Sequence, residues 1–239
     1  MVCVLLGLGM AFRTSSVCRP RRRLVNAAFK ESWEMFMFRS AESLYGVANS
    51  FLLGLFAPPV IVGYFSSAEK ICKATAGLVN PIRDSLYPRI SHLMHHDHRE
   101  GARLAKVGGA LMIGAAFGLS VTVFLLAGKA ISIFMGGRFE PAVRVLQILS
   151  PMPILIAVAF ACGQLWLFPL QKDRLVLRIV WRAALLNVFL SFLLGPRWGH
   201  IGMASAVLLS ESVVAGSLLW SVLQLERSQA TLGSLSASV

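Results

Sequence analysis

Apolar residues occur in long blocks separated by short basic or Pro/Gly-rich intervals. Residues 107–128 and 145–171 hold no charged side chain, and each run is about 20 residues or longer, enough to cross a bilayer core. The blocks predict six long helices, at 33–56, 62–93, 105–135, 141–169, 175–195 and 201–225. Pro58-Pro59 closes the first, MGGRF the third, QKDR follows the fourth and GPRWGHIG closes the fifth. The interval MHHDHREGARLAK, between the second and third, reads as a polar loop. The second and fourth helices exceed what a bilayer needs, because about 30 residues reach about 45 Å. They must tilt, kink or project, and Pro81, Pro88, Pro151 and Pro153 are the available kink points.

The ends differ from this body. Residues 1–12, MVCVLLGLGMAF, are apolar but reach only about 18 Å. Their basic residues follow the apolar run rather than precede it, unlike a signal peptide. They read as a partial transmembrane segment, the end of a helix whose beginning is missing. Residues 13–32 form a basic loop around Pro20, residues 33–225 the six-helix body, and residues 226–239 a Ser-rich tail expected to be disordered.

Composition supports a lipid solvent. The chain is 56% hydrophobic and 14% charged, with mean hydropathy +0.69, whereas soluble domains carry about 25% charged residues. The fold class is therefore all-α, a polytopic membrane helical bundle of six full transmembrane helices plus the partial N-terminal one. The net charge of +12 does not imply nucleic acid, because the cations cluster between apolar runs as in cytoplasmic loops. Arg21–Arg23, then Arg99, Arg103 and Lys106, then Lys172 and Arg174 fall on alternate connections. That bias places them and the C-terminus in the cytoplasm. The four cysteines lack metal or redox spacing, and the HHDH run at 95–98 has no second ligand group, so no metal or cofactor is expected. No Ser/His/Asp or Cys/His arrangement survives this topology, so the chain does not read as an enzyme.

Ionisable groups within spans are costly and therefore informative. Arg39 and Glu42, three apart, share a helix face; they form either a self-neutralising pair or an arginine facing a hydrated cavity. Glu69 and Lys70 read as interfacial, and Lys73 as deeper and a candidate cavity cation. Arg83 and Asp84 lie toward the cytoplasmic end of the second helix. As neighbours they point about 100° apart and are expected to seek partners elsewhere. Pro81 and Pro88 bracket them, so this segment reads either as a hydrated gate or as an interfacial helix end. Arg178 reads as snorkelling, while Arg182 stays open between that and a deeper role. Glu211, midway through the sixth helix, is a candidate for gating or proton coupling.

Three stretches carry a family pattern. VGYFSSAEKICKATAGLVNPIRDSLYPRIS (62–91) combines Gly-Tyr, Ala-x-Lys, a proline and Tyr-Pro-Arg-Ile-Ser. FMGGRFEPAVRVLQILSP (134–151) has a Gly-x-x-Phe-x-x-Ala loop leading into a helix, and GHIGMASAVLLSE (199–211) a Gly-x-x-Gly-x-Ala helix start. In order and placement they resemble the polysaccharide (Wzx-type) O-antigen flippases of the multidrug/oligosaccharidyl-lipid/polysaccharide exporter superfamily, over about residues 25–224.

The resemblance matches the C-terminal six-helix lobe of a two-lobe exporter. It implies that residues 1–12 are the remnant of the preceding helix, that residues 13–32 join the lobes, and that the chain is a fragment or truncated product. It further implies flipping of an undecaprenyl-diphosphate-linked oligosaccharide across a bacterial inner membrane by alternating access. Arg39, Lys73 and Arg83 suit the diphosphate by charge and depth, with Glu42, Pro81, Asp84, Pro88 and Glu211 as gating or coupling candidates. Expected partners are the lipid-linked oligosaccharide, membrane lipid, a missing lobe or a second copy, and a glycan polymerase. The alternatives are a drug/cation antiporter of the same superfamily and a non-transporting scaffold for glycan-assembly enzymes.

Overall fold

The computed structural model describes residues 48–236 together with 29, 32, 33 and 36. The chain divides into two units, Met1–Ser40 and Ala41–Val239. In the first, Phe29, Trp33 and Phe36 are helical. Their rings pack in succession, with centroids 6.3 and 5.6 Å apart, as spacings of four and three on a helix allow.

In the second unit the described residues are helical and contain no strand. Residues 48–54 end a first helix. There follow α1 (Pro59–Gly77), α2 (Asn80–His96), α3 (His98–Met135), α4 (Ala142–Leu149), α5 (Met152–Cys162) with a π-turn over Gly163–Leu167, and α6 (Asp173–Ser236). Among the described residues, three stretches are long and apolar enough to cross a membrane: Arg99–Met135, Ala142–Leu167 and Asp173–Arg227. The bundle is an all-α, multi-pass membrane fold.

Several expectations need correction. The helix expected over 62–93 is two helices, parted at Leu78 and Val79. Pro81 has no N–H for the carbonyl of Gly77, so α1 ends there and Pro81 enters the first turn of α2, where the lost donor costs nothing. Leu78 and Val79 keep right-handed helical angles (φ −64°, ψ −18° and φ −86°, ψ −15°). The break is therefore a kink, not a loop. Pro88, by contrast, sits inside α2.

The polar interval 94–106 is almost wholly helical. Asp97 alone separates α2 from α3, its carboxylate accepting from the N–H groups of Arg99 (3.0 Å) and Glu100 (3.2 Å) as an N-cap. A Cβ on Gly101 would lie 2.8 Å from the backbone nitrogen of Met94, so the tight corner needs glycine.

The expected fifth and sixth helices are the arms of α6, 173–198 and 200–236, interrupted at Gly199 (φ 53°, ψ −129°). That conformation suits glycine. Asn187 donates to Ser210 at 3.1 Å across the buried seam; the two lie at similar distances either side of Gly199, so the arms fold back on each other. Helix also continues through Ser236, where a disordered tail was expected from 226. Glu69, Arg83 and Asp84 also depart from expectation in the candidate site.

Helix α3 packs chiefly on α5 and α2, and α5 in turn on α6. Phe65, Ile131, Leu146, Leu149, Met152 and Met203 are among the fully enclosed side chains of the core. Helix α4 shows why it takes this place: Ala142, Val145, Leu146 and Leu149 repeat at 0, 3, 4 and 7 and are buried, while Arg144 and Gln147 face outward.

Proline chemistry shapes the α4–α5 junction. Pro151 offers no N–H to the carbonyl of Gln147, which instead accepts from the Ser150 hydroxyl at 2.7 Å. Pro153 likewise leaves the Leu149 carbonyl without its usual donor, and the buried Cys72 thiol of α1 supplies a weak one at 3.3 Å. Each orphaned carbonyl thus acquires a side-chain partner, as a dry interior requires.

Candidate functional site

Helix α1 places Glu69 on its buried face beside Phe65, Ala68 and Cys72. Its side chain is 5% exposed and its Oε1 accepts from two neighbours, Lys73 Nζ at 2.9 Å and Asn49 Nδ2 at 3.1 Å. The Glu69 to Lys73 spacing of four favours the pair on a helix. Asn49 is fully buried, and its Oδ1 has no hydrogen-bond partner. Glu69 was expected to be interfacial; the structure buries it, because Lys73 and Asn49 together supply what water would have given. The i,i+4 spacing was the sequence signal for the ion pair. Nothing in the sequence announced that Asn49, twenty residues away, would meet Glu69.

Arg83 and Asp84 occupy the first turns of α2, just past the kink. Contrary to expectation they pair with each other: Arg83 Nε and Nη2 both lie 2.8 Å from Asp84 Oδ1. The long arginine side chain bends round the helix and closes the 100° separation, which a shorter cation would not do. Its guanidinium also lies over the ring of Phe160 on α5, 4.7 Å from the centroid, a cation–π contact. The Arg83 side chain is 15% exposed and Asp84 65%. Arg83 is therefore held by packing on one face, while its carboxylate partner sits in the open.

The other predicted residues are distributed around these two clusters. Pro81 and Pro88 are exposed on α2. Glu211 is half-buried and partnered on the second arm of α6. Arg39 and Glu42 lie outside the described residues. Lys73 and Arg83 are ten residues apart on opposite sides of the kink, each with an acidic partner on its own helix.

Two flanking contacts fix the ends of the bundle. Lys106 at the start of α3 reaches Glu226 of α6 at 3.0 Å and lies over the Trp166 ring at 5.6 Å. At the turn between the α6 arms, His200 packs edge-on against Tyr64, which packs against Phe139.

Comparison with known proteins places the chain. A family described as "Polysaccharide biosynthesis protein" matches residues 2–94. A protein of Escherichia coli (strain K12) named "Putative O-antigen transporter" is 32% identical over 197 residues, 82% of this chain and 47% of that protein. A protein of Shigella dysenteriae with the same name is 26% identical over 204 residues, 84% and 50% respectively. The chain is similar to this polysaccharide biosynthesis family over its first part and to these O-antigen transporters over most of its length. It spans about half the length of the curated relatives it matches. The family match covers α1, the kink and α2 up to residue 94, including Glu69, Lys73, Arg83 and Asp84, while Glu211 lies beyond it.

Proposed function

We propose that this chain forms a six-span lobe of a flippase that turns an undecaprenyl-diphosphate-linked oligosaccharide from the inner to the outer leaflet of the bacterial inner membrane. The alignment with O-antigen transporters over more than four-fifths of the chain carries the reading. In this orientation the C-terminus and the Arg99–Lys106 end are cytoplasmic, following the basic clusters. Residues 13–32 then join the lobe to a preceding one, and a second lobe or a second copy completes the path. Glycan polymerase is the natural downstream partner.

Arg83 gives the reading a mechanism. A diphosphate cannot enter hydrocarbon without counter-charge. The guanidinium is held against Phe160 and faces an exposed Asp84. The incoming anion displaces Asp84, and Arg83 exchanges one carboxylate for a planar, bidentate grip on phosphate oxygens. Lys73 on α1 is a second candidate cation, and the kink at Leu78–Val79 lets α2 rock against α1 during alternating access. No catalytic group is needed, because no covalent bond changes.

A second reading, drug or cation antiport, draws on the buried carboxylate of Glu69. Proteoliposomes separate the two. Loss of fluorescent undecaprenyl-diphosphate oligosaccharide transport in Arg83→Ala, with helix content unchanged, supports the flippase. Wild-type transport in both Arg83→Ala and Arg39→Ala overturns its site, and cation-driven dye export lost only in Glu69→Gln favours the antiporter.

A further inference from the structure

The two arms of α6 leave a groove of about 440 Å³ between them, lined by Leu175, Ile179, Arg182, Val213, Ser217 and Trp220. About twenty residues cross a hydrocarbon core. Counting back from Arg197 puts its edge near Arg178 and leaves Arg182 about 6 Å inside it. On the returning arm the same count from His200 brings Trp220 to the edge, where tryptophan is favoured.

Among the described residues Arg182 has no acidic or carbonyl partner. A cation left alone below the hydrocarbon edge calls for an anion. Arg174, Arg178 and Arg182 follow at intervals of four, so they form a basic stripe leading from the edge into the groove. The Ser221 hydroxyl is committed to the carbonyl of Ser217 at 2.8 Å, whereas the hydroxyl of Ser217 itself remains available to donate. The groove thus combines an unpaired guanidinium and a hydroxyl with an apolar trough beside a tryptophan.

We infer that the groove between the α6 arms binds an anionic glycerophospholipid of the surrounding leaflet, its phosphate on Arg182 and Ser217 and one acyl chain along Ile179, Val213 and Trp220. Basic pockets between membrane helices recognise such headgroups. A free inorganic anion would leave the apolar trough empty, and a zwitterionic lipid would bring its own cation toward the arginine stripe. The site lies on α6, apart from the Arg83 cluster, and does not depend on the transport reading.

Gly216 offers a variant that fills the groove without touching its charge. A Cβ on Gly216 meets no atom within 4 Å, so Gly216→Leu extends into open space where the acyl chain would lie. The experiment is native mass spectrometry of the full chain released from micelles containing phosphatidylglycerol or phosphatidylcholine. The wild type should retain phosphatidylglycerol at least about tenfold more tightly than phosphatidylcholine. Arg182→Gln and Gly216→Leu should each lose about tenfold for phosphatidylglycerol, while Arg178→Gln, which keeps Arg182, loses less. Equal retention by wild type and Arg182→Gln overturns the site, as does an equal loss in Arg178→Gln, which would mean mere snorkelling. Displacement of the bound lipid by a lower concentration of undecaprenyl phosphate overturns the choice of occupant. A dimer that Gly216→Leu disperses would seat a second copy in the groove instead.

Discussion

The α1–α2 segment and the α6 hairpin solve the same problem in opposite ways. Both are long helical stretches interrupted once near the middle. At Leu78–Val79 the interruption comes from proline: an N–H is lost while the backbone angles remain helical. At Gly199 it comes from a left-handed glycine, and the chain turns back on itself. The polar groups differ to match. The first segment pairs its charges within itself, Glu69 with Lys73 and Arg83 with Asp84. In the second, Asn187 meets Ser210 across the seam, and Arg182 looks outward into the groove. A proline kink preserves a face along which charges can be paired locally; a glycine reversal creates a new face between two arms.

The sharpest way to break the comparison is to unbalance the first segment. Glu69→Ala strands Lys73 and Asn49 and should cost about 2 kcal/mol, less than a fully buried pair because the Lys73 side chain is 37% exposed. Denaturant unfolding in detergent measures it, and the double variant Glu69→Leu with Lys73→Met should recover much of the loss. Recovery failing entirely would show that Asn49, rather than the ion pair, depends on the carboxylate.

Gly199→Ala tests the reversal. A side chain in that conformation should cost about 1–2 kcal/mol. It should also weaken the Asn187–Ser210 seam, seen as faster amide exchange in both arms. A stability equal to wild type would mean that the turn relaxes freely.

Cys72→Ala addresses the proline-orphaned carbonyl of Leu149 and should cost about 1 kcal/mol, with Cys72→Ser restoring part of it. Identical loss in both variants would assign Cys72 to packing alone. The smallest effect belongs to Pro81→Ala. It restores a donor to Gly77 at a site that already tolerates helix, so stability should change by less than about 1 kcal/mol. The change should appear instead in geometry, as a longer spin-label distance between Ser66 and His92. An unchanged distance would put the kink in packing rather than in proline.

The sequence was read well where one physical rule decides. The long uncharged run at 107–128 falls inside a helix long and apolar enough for the bilayer, and the run at 145–171 does so up to Leu167. MGGRF closes α3 at Met135, with Gly136 at φ 82°. GPRWGHIG marks the reversal at Gly199. It was read poorly where two rules compete. Asp97 was submerged in a polar interval, although a single N-cap suffices to pass from one helix to the next. Arg83 and Asp84 were separated on helix geometry alone, which ignores the reach of an arginine side chain.

By itself the sequence determined the lipid solvent, the helical class, most helix ends and the family pattern. These follow from hydrophobic run length, from the missing N–H of proline and from the permissive backbone of glycine, all of which are local. Only the tertiary structure decided that Asn49 meets Glu69, that Cys72 serves a carbonyl of another helix, that Phe160 lies under Arg83 and that Arg182 lines a groove. Each joins residues from different elements or faces of the bundle, and in a membrane such contacts are set by packing and polar satisfaction between helices, which no spacing along one chain records.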